Sequence, residues 1–162
     1  MEDLLRDSVI ATGEREEVLA AVRALYADVQ SEIDARRPVC VVSGRCCRFE
    51  EYGHRLFVTT AELAVFTRDL QGLRLATAPP PWDGKGCPFQ SNKMCGVHAI
   101  RPFGCRVFFC DATSTEWQQD VYERYHARLK RMHDQLCVPY FYVEWRQALR
   151  ALGLAGTGCR TA

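Results

Sequence analysis

The amino-acid sequence predicts an α+β protein that is mostly helical, with two long amphipathic helices, a small irregular β element and a cysteine-rich metal-binding loop region. Three observations lead to this prediction. Apolar residues recur with helical spacing near both ends of the chain, short β-prone pieces broken by glycine lie between them, and seven of the nine cysteines fall within residues 40–110. With 162 residues, 48% of them hydrophobic, the chain is long enough to bury a core of its own. We therefore expect one domain over residues 1–162.

The first predicted helix covers about residues 12–37. Thr12 is the predicted N-cap, acidic residues follow it, and Pro38 stops the helix after two arginines. Five apolar side chains fall on one face of this helix: Val18, Val22, Leu25, Val29 and Ile33. The face is wide enough to pack against a second helix.

Residues 38–112 form the predicted cysteine-cluster region. Short strands are expected at three places: Val39–Val42, Arg48–Glu50 and Leu56–Thr59. A capping box made by Thr59 and Glu62 predicts a short helix directly after the last of them. Residues 78–86 contain three consecutive prolines and two turn glycines, so we interpret them as a linker.

Two more helices are expected over about residues 113–153. Thr113 and Glu116 have the spacing of a second capping box. An apolar stripe then predicts a long helix: Trp117, Val121, Tyr125, Leu129, Met132 and Leu136. Pro139 ends or resets that helix, and the last helix is expected at about Tyr140–Leu152.

Charge and segment patterns argue against several classes of partner. The 21 basic and 20 acidic side chains nearly cancel, so we expect neither a nucleic-acid partner nor a membrane surface. The N-terminal segment lacks the features of a secretory signal, and the longest apolar runs are too short to span a bilayer. We therefore expect a soluble, cytoplasmic protein. Thiols stay reduced in that compartment, which favours metal ligation over a disulfide framework.

The cysteines provide the main functional signal. Seven lie in the middle of the chain: Cys40, Cys46, Cys47, Cys87, Cys95, Cys105 and Cys110. Cys137 and Cys159 lie outside this group, and we expect neither to be a ligand. Thiolates are soft ligands that suit zinc and iron–sulfur clusters. No CxxC pair is present and the usual zinc-ribbon and ferredoxin spacings are absent, so spacing leaves both cofactors open.

Four motifs in series resemble the YkgJ-type cysteine-cluster family, which is described as a zinc- or iron-chelating domain. The motifs are CVVSGRCC at residues 40–47, CPF at 87–89, MCGVH at 94–98 and RPFGCR at 101–106. The family pattern has an opening CxxCGxCC, a CPFL-like segment, a C-x-I-Y segment and a closing RPxxCR. The resemblance covers about residues 40–110. It implies five metal ligands: Cys46, Cys47, Cys87, Cys95 and Cys105.

The start of the first motif departs from the family pattern. Cys40 corresponds to the first family cysteine, but Ser43 stands where the second is expected. Either the site has fewer ligands at this end, or Cys110 replaces the missing one. The adjacent Cys46 and Cys47 raise a second question, because neighbouring side chains diverge in an extended chain. We expect one of them to ligate and the other to pack, unless the site holds a multi-iron cluster or two metals.

Positively charged residues surround the last cysteine of the series. Arg101 and Arg106 flank Cys105, and we predict that they donate to sulfur or offset the charge of the site. An ion pair with a nearby carboxylate is the alternative. His98 has C-x2-H spacing from Cys95, so it is either a ligand or a surface or second-shell residue.

Three functions fit these observations. The first is a metal-binding protein whose thiolate-held zinc or iron–sulfur cluster helps to fold the middle of the chain, with helices that offer a surface to a protein partner. The second is an iron–sulfur or zinc-dependent enzyme, or an accessory protein of one. The third is metal storage or delivery. The common cofactor and hydrolase motifs are absent, so the sequence names no catalytic residue.

Overall fold

The computed structural model describes residues 1–40, 43–73 and 81–156. The helices are α1 Glu2–Gly13, α2 Glu16–Arg36, α3 Phe49–Tyr52, α4 Thr60–Gly72, α5 Phe103–Arg106, α6 Thr115–Gln135 and α7 Trp145–Ala151. The strands are β1 Phe57–Thr59, β2 Gln90–Ser91, β3 Met94–Cys95 and β4 Tyr142–Glu144. In the described residues β1 pairs with β4 and β2 pairs with β3, both antiparallel. The predicted class, α+β and mostly helical, is confirmed.

The predicted helix at 12–37 is two helices. Thr12 is not an N-cap, because it lies near the end of α1 and is buried. The chain turns after α1, and α2 begins behind Arg15, whose backbone is extended. The end of α2 is as predicted: Arg37 adopts a left-handed conformation (φ +53°), its N–H bonds to the carbonyl of Ile33, and Pro38 follows.

The two long helices, α2 and α6, pack against each other as the sequence predicts. Charged pairs border this contact, with Arg124 at 2.7 Å from Glu32 and Arg128 at 2.6 Å from Asp28. Exposed pairs of this kind contribute at most about 1 kcal/mol each. The apolar faces contribute more, because the stripe on each helix is buried.

The capping box at the start of α4 is present and extends into the cysteine region. Thr59 Oγ1 accepts from the N–H of Glu62, and the Glu62 carboxylate accepts from the N–H of Thr59. The same carboxylate accepts from the N–H of Phe103 at 2.9 Å. Burial raises the pKa of Glu62 while these donors oppose the rise. This one side chain therefore joins β1, α4 and the start of α5.

The second predicted capping box does not form. α6 begins at Thr115 behind Ser114, which makes no side-chain cap. The carboxylate of Asp111 instead accepts from the Thr113 N–H at 2.9 Å and from its hydroxyl at 2.6 Å. A carboxylate accepts more strongly than a hydroxyl, so the nearby aspartate uses Thr113 as a donor and closes a 3₁₀ turn over Ala112–Ser114.

Of the two strands expected over residues 48–59, one is confirmed and one is wrong, and the last helix is shorter than predicted. Leu56–Thr59 contains β1 as predicted, whereas most of Arg48–Glu50 starts the short helix α3. The predicted helix Tyr140–Leu152 is shorter, because residues 142–144 form β4. The aromatic and β-branched residues of β4 pair with β1, which lies far away in the sequence.

Parts of two other predictions fall outside the described residues. Residues 41 and 42 of the strand expected at Val39–Val42 are outside, and residues 39 and 40 belong to no strand. Residues 78–80 of the linker are also outside. Its glycines Gly84 and Gly86 both have positive φ, as a turn requires.

The core is built from helices at both ends of the chain. Large side chains that are almost fully buried come from α1, α2, α4, α6 and α7: Val9, Val18, Leu19, Val22, Leu25, Leu63, Phe66, Leu129, Trp145 and Leu149. Phe103 of α5 joins them, which anchors the cysteine-bearing segment to the helical body. Within the described ranges, no helix has the length and apolar character needed to cross a membrane.

Candidate metal centre

Three separate segments bring cysteines to one end of the helical body. Cys46 and Cys47 lie on a 3₁₀ turn over Arg45–Cys47, Cys87 precedes the β2–β3 hairpin, and Cys95 ends that hairpin. Cys105 lies on α5. The N–H of Cys87 donates to the carbonyl of Cys47 at 2.8 Å, so the first two segments are joined by their backbones.

Two glycines permit this close approach. Gly86 has φ +60°, and a Cβ added there would lie 2.7 Å from the carbonyl oxygen of Cys47. Gly44 has φ +71°, and a Cβ there would lie 2.7 Å from Nε2 of Gln90. That same Nε2 donates to the Gly44 carbonyl at 2.9 Å. Larger residues at these positions would separate the turn from the hairpin.

The adjacent cysteines converge. The sulfur atoms of Cys46 and Cys47 are 3.9 Å apart. Two thiolates on one tetrahedral zinc, with bonds of about 2.3 Å, are separated by about 3.8 Å. The expectation that the two side chains diverge requires an extended chain, and it does not hold here because the backbone forms a turn.

Cys47 lies at the centre of a group of thiols and is only 5% exposed. Its pKa is raised because its proton is held by the neighbouring sulfur of Cys46, then by those of Cys87 and Cys95. In return, the hydrogen bond from Cys47 lowers the pKa of Cys46 to about 6 and that of Cys95 to about 7. The pKa of Cys87 is lowered for the same reason, and Trp145 Nε1 also donates to its sulfur at 3.4 Å. Three of these thiols, Cys46, Cys87 and Cys95, thus have a lowered pKa, which favours the thiolate form that binds metals.

Cys105 completes the set of five cysteines that the resemblance implies. Burial raises the pKa of its thiol, and the charges of Cys87, Cys46 and Cys95 act in the same direction. The side chain therefore stays protonated beside the other thiols unless a cation is present. A metal ion beside Cys105 would lower the pKa of this thiol and favour its thiolate.

A cavity of about 420 Å³ opens onto these thiols. Its lining includes six cysteines: Cys40, Cys46, Cys47, Cys95, Cys105 and Cys110. Cys87 joins the group through Cys47. Met94, Phe108 and Phe109 supply apolar walls. The cavity is larger than a single ion needs, and a cluster or more than one ion would fit its volume.

The two predicted arginines line the same cavity. Arg101 donates to the carbonyl of His98 at 2.6 Å, and Arg106 donates to the carbonyl of Arg101 at 2.8 Å. The guanidinium of Arg106 also lies 4.1 Å above the ring of Tyr26. The alternative prediction, an ion pair with a carboxylate, is formed by neither arginine in the part of the chain that the structure describes. The charge of Arg101 contributes to the lowered pKa of Cys46 and of Cys95, so this cation does act on the thiols.

Two exposed cysteines lie at the open side of the cavity. The sulfur of Cys110 is 3.4 Å from Oγ of Ser43, and Cys40 also lines the cavity. The N–H of Val39 donates to the carboxylate of Asp111 at 3.2 Å. This bond ties the chain before Cys40 to the chain after Cys110. The chain segments that carry Cys40 and Cys110 are therefore held together next to both cysteines.

The remaining candidate residues lie in different places relative to the cavity, and one residue that the sequence did not indicate contacts a cysteine. His98 lines the cavity but is largely exposed. Partial desolvation of its ring, followed by the charge of Arg101, lowers its pKa. Cys137 is exposed at the end of α6 and does not line the cavity, and Cys159 lies outside the described residues. Trp145 is buried in the core, and sequence reasoning missed its bond to Cys87. No local pattern links residues that are 58 positions apart.

The donor chemistry of this site fits zinc or an iron–sulfur cluster. Soft thiolates, an indole N–H aimed at sulfur and two guanidiniums in the cavity wall suit a negatively charged metal–thiolate centre. The thiols are neighbours rather than a closed coordination shell: among the described residues, no three His, Cys, Asp or Glu side chains converge tightly enough to hold an ion. Comparison of the chain with family models, with curated proteins and with solved structures returns no match.

Proposed function

We propose that this protein binds a metal centre, zinc or an iron–sulfur cluster, through thiolates of Cys46, Cys47, Cys87, Cys95 and Cys105. One observation carries the proposal: cysteines from three segments of the chain meet at one cavity. The sulfur of Cys47 lies 3.9 Å from that of Cys46, its carbonyl accepts from the N–H of Cys87, and Cys95 and Cys105 line the same cavity. A buried inert cysteine behaves as a small apolar residue and needs no such neighbours. A group of thiols that stabilises thiolates is what a soft metal requires.

The charges around the group support the same proposal. Four thiolates on a divalent zinc carry a net charge of about −2, which is costly in a partly buried site. Arg101 and Arg106 supply two positive charges in the wall of the cavity. The charge of Arg101 also contributes to the lowered pKa of Cys46 and of Cys95. The surroundings therefore offset the charge that the metal–thiolate centre would carry.

A disulfide framework has less support. All eight cysteines among the described residues are free thiols. The sulfurs of the adjacent Cys46 and Cys47 are 3.9 Å apart, against about 2.05 Å for a disulfide bond. Residues 81–110 contain only short helices and strands. A metal bound by three cysteines of this segment would supply folding free energy that its small core does not.

Membership of the YkgJ-type cysteine-cluster family is part of the proposal. The four sequence motifs imply five ligands, and all five lie in one neighbourhood of the fold. Cys46, Cys47, Cys87 and Cys95 influence one another directly, and Cys105 responds to the charges of three of them. The coincidence supports the resemblance.

Metal and acid-labile sulfide analysis, with a visible spectrum, tests the proposal on protein made and purified without oxygen. We expect either stoichiometric zinc and a colourless sample, or iron with sulfide and broad charge-transfer absorption. Cys95→Ser should lose the metal. Cys137→Ser is the matched control, because Cys137 is a cysteine outside the cavity. Wild-type protein that folds without either metal would contradict the proposal.

Metal delivery is a second candidate, and one observation favours it. Cys40 and Cys110 are exposed and line the same cavity as the less exposed Cys46, Cys47, Cys95 and Cys105. A delivery protein needs ligands that an incoming partner can reach. Rapid exchange of the bound metal with a chelator would support this role, and a metal that resists strong chelators would argue against it.

A further inference from the structure

The number of cysteines at the cavity exceeds what one metal ion uses. A tetrahedral zinc takes four ligands, and the inner group already offers five thiols. Cys40 and Cys110 face the same cavity from its open side. A single ion held by the inner group leaves them without a role in that coordination shell. Two of the cysteines that a single ion would not use, Cys40 and Cys110, are therefore the exposed ones.

The outer pair is held in place by polar contacts. Asp111 accepts from the N–H of Val39 at 3.2 Å, from Thr113 and from the hydroxyl of Ser114 at 2.8 Å. Arg36, near the end of α2, donates to the carbonyl of Thr113 at 2.9 Å. These bonds fix the segment that follows Cys110 against the segment that precedes Cys40. Both thiols remain exposed to solvent.

We propose that Cys40 and Cys110 form an outer, exchangeable position for a soft thiolate-binding metal ion such as zinc, at the entrance to the inner centre. Binding replaces the two thiol protons: one Zn²⁺ joins two thiolate sulfurs and two protons are released to water. Only two protein sulfurs bind, so solvent or an incoming ligand completes the shell. An ion held in this way exchanges quickly. The inference rests on the proposed function and adds a route by which metal enters or leaves.

Ser43 lies next to the proposed outer metal position. Its hydroxyl lies 3.4 Å from the sulfur of Cys110. A cysteine at position 43 would place a third sulfur beside the outer ion. The outer position can therefore be strengthened as well as removed, and a gain of affinity cannot be explained by a misfolded variant.

Zinc release to a chromophoric chelator, without oxygen, tests the inference on the full chain. Wild-type protein loaded with zinc should release one equivalent per chain faster than any metal of the inner centre. The variant Cys40→Ser/Cys110→Ser should lose that fast equivalent and keep the inner metal. Cys137→Ser removes an equally exposed thiol outside the cavity and should behave as wild type. A fast equivalent that persists in the double variant would overturn the inference.

Ser43→Cys provides the opposite test. It should slow the release of the fast equivalent several-fold, whereas Ser43→Ala should leave it nearly unchanged. Release from Ser43→Cys at the wild-type rate would count against the outer position. Wild-type protein that binds only the inner metal would overturn this inference alone, while protein that binds no metal would also overturn the proposed function.

Discussion

The inner and outer cysteines face one cavity but have different surroundings. The inner thiols are held by backbone bonds between the turn and the hairpin, by burial and by the N–H of Trp145. The outer thiols of Cys40 and Cys110 are exposed, and polar contacts of neighbouring residues position them. The same residue type therefore meets two requirements. Buried and preorganised thiolates suit a retained metal, and exposed ones suit a metal that exchanges.

Removal of the central thiol should have the largest effect. Cys47→Ser should abolish retention of the inner metal, because Cys47 is the one buried cysteine among the five proposed ligands and its sulfur lies 3.9 Å from that of Cys46. Structural zinc contributes about 10–16 kcal/mol in zinc-finger peptides, so we expect a loss of at least about 3 kcal/mol in unfolding free energy. Metal analysis measures the retained metal, and anaerobic urea unfolding measures the free energy of unfolding. Full metal content in Cys47→Ser would remove the distinction between inner and outer thiols.

Separation of the turn from the hairpin should have the next largest effect. In Gly86→Ala the new Cβ would lie 2.7 Å from the carbonyl of Cys47, at a residue with φ +60°. We expect a loss of about 2–3 kcal/mol in stability together with weaker metal binding. Gly53→Ala is the control, because Gly53 has φ +65° and nothing within 4 Å. Equal metal affinity in the two variants would mean that the close approach does not position the ligands.

Loss of the indole donor should weaken the inner centre without unfolding it. Trp145→Phe keeps an aromatic ring in the core but removes the N–H that donates to Cys87. Loss of a group that hydrogen-bonds a metal ligand typically costs about 10–100-fold in metal affinity, and we expect a value near the lower end. Competition with a chelator measures the metal affinity. Thermal unfolding of the metal-free protein measures how much the smaller ring changes stability through packing alone. An unchanged affinity would assign Trp145 to the core alone.

The smallest effect should be confined to the outer pair. Asp111→Ala removes the acceptor of the Val39 and Thr113 N–H groups. We expect several-fold faster release of the outer zinc and an unchanged inner metal, because the bonds of Asp111 hold the outer segments together. Two-phase release kinetics separate these outcomes. An equal acceleration of release in both phases would show that the inner and outer cysteines are coupled.

The sequence predicted the fold class, the long helices, the capping box of Thr59 and Glu62, and the strand within Leu56–Thr59. These features depend on residues close together in the chain. α1 was missed because Leu5 and Val9 are buried while Leu4 and Ile10, similar in character, are exposed. An apolar pattern of this kind does not show which side faces the core.

Other features of the site depended on contacts that sequence spacing cannot show. β4 is a strand only because β1 offers a partner, and the two are far apart in sequence. Cys46 and Cys47 converge because a turn replaces an extended backbone. The contact between Ser43 and Cys110 spans 67 positions. The resemblance named the residues of the site, and the geometry that relates them came from the tertiary structure.

The position of Trp145 has an optical consequence. Its ring is 1% exposed and packs edge-on against Phe66, and its N–H points at the sulfur of Cys87. A sulfur atom in contact with an excited indole quenches its fluorescence by electron transfer, and an absorbing metal centre would quench it by energy transfer. Trp145 emission should therefore follow the occupancy of the inner centre, as a fluorescent reporter that the chain already contains.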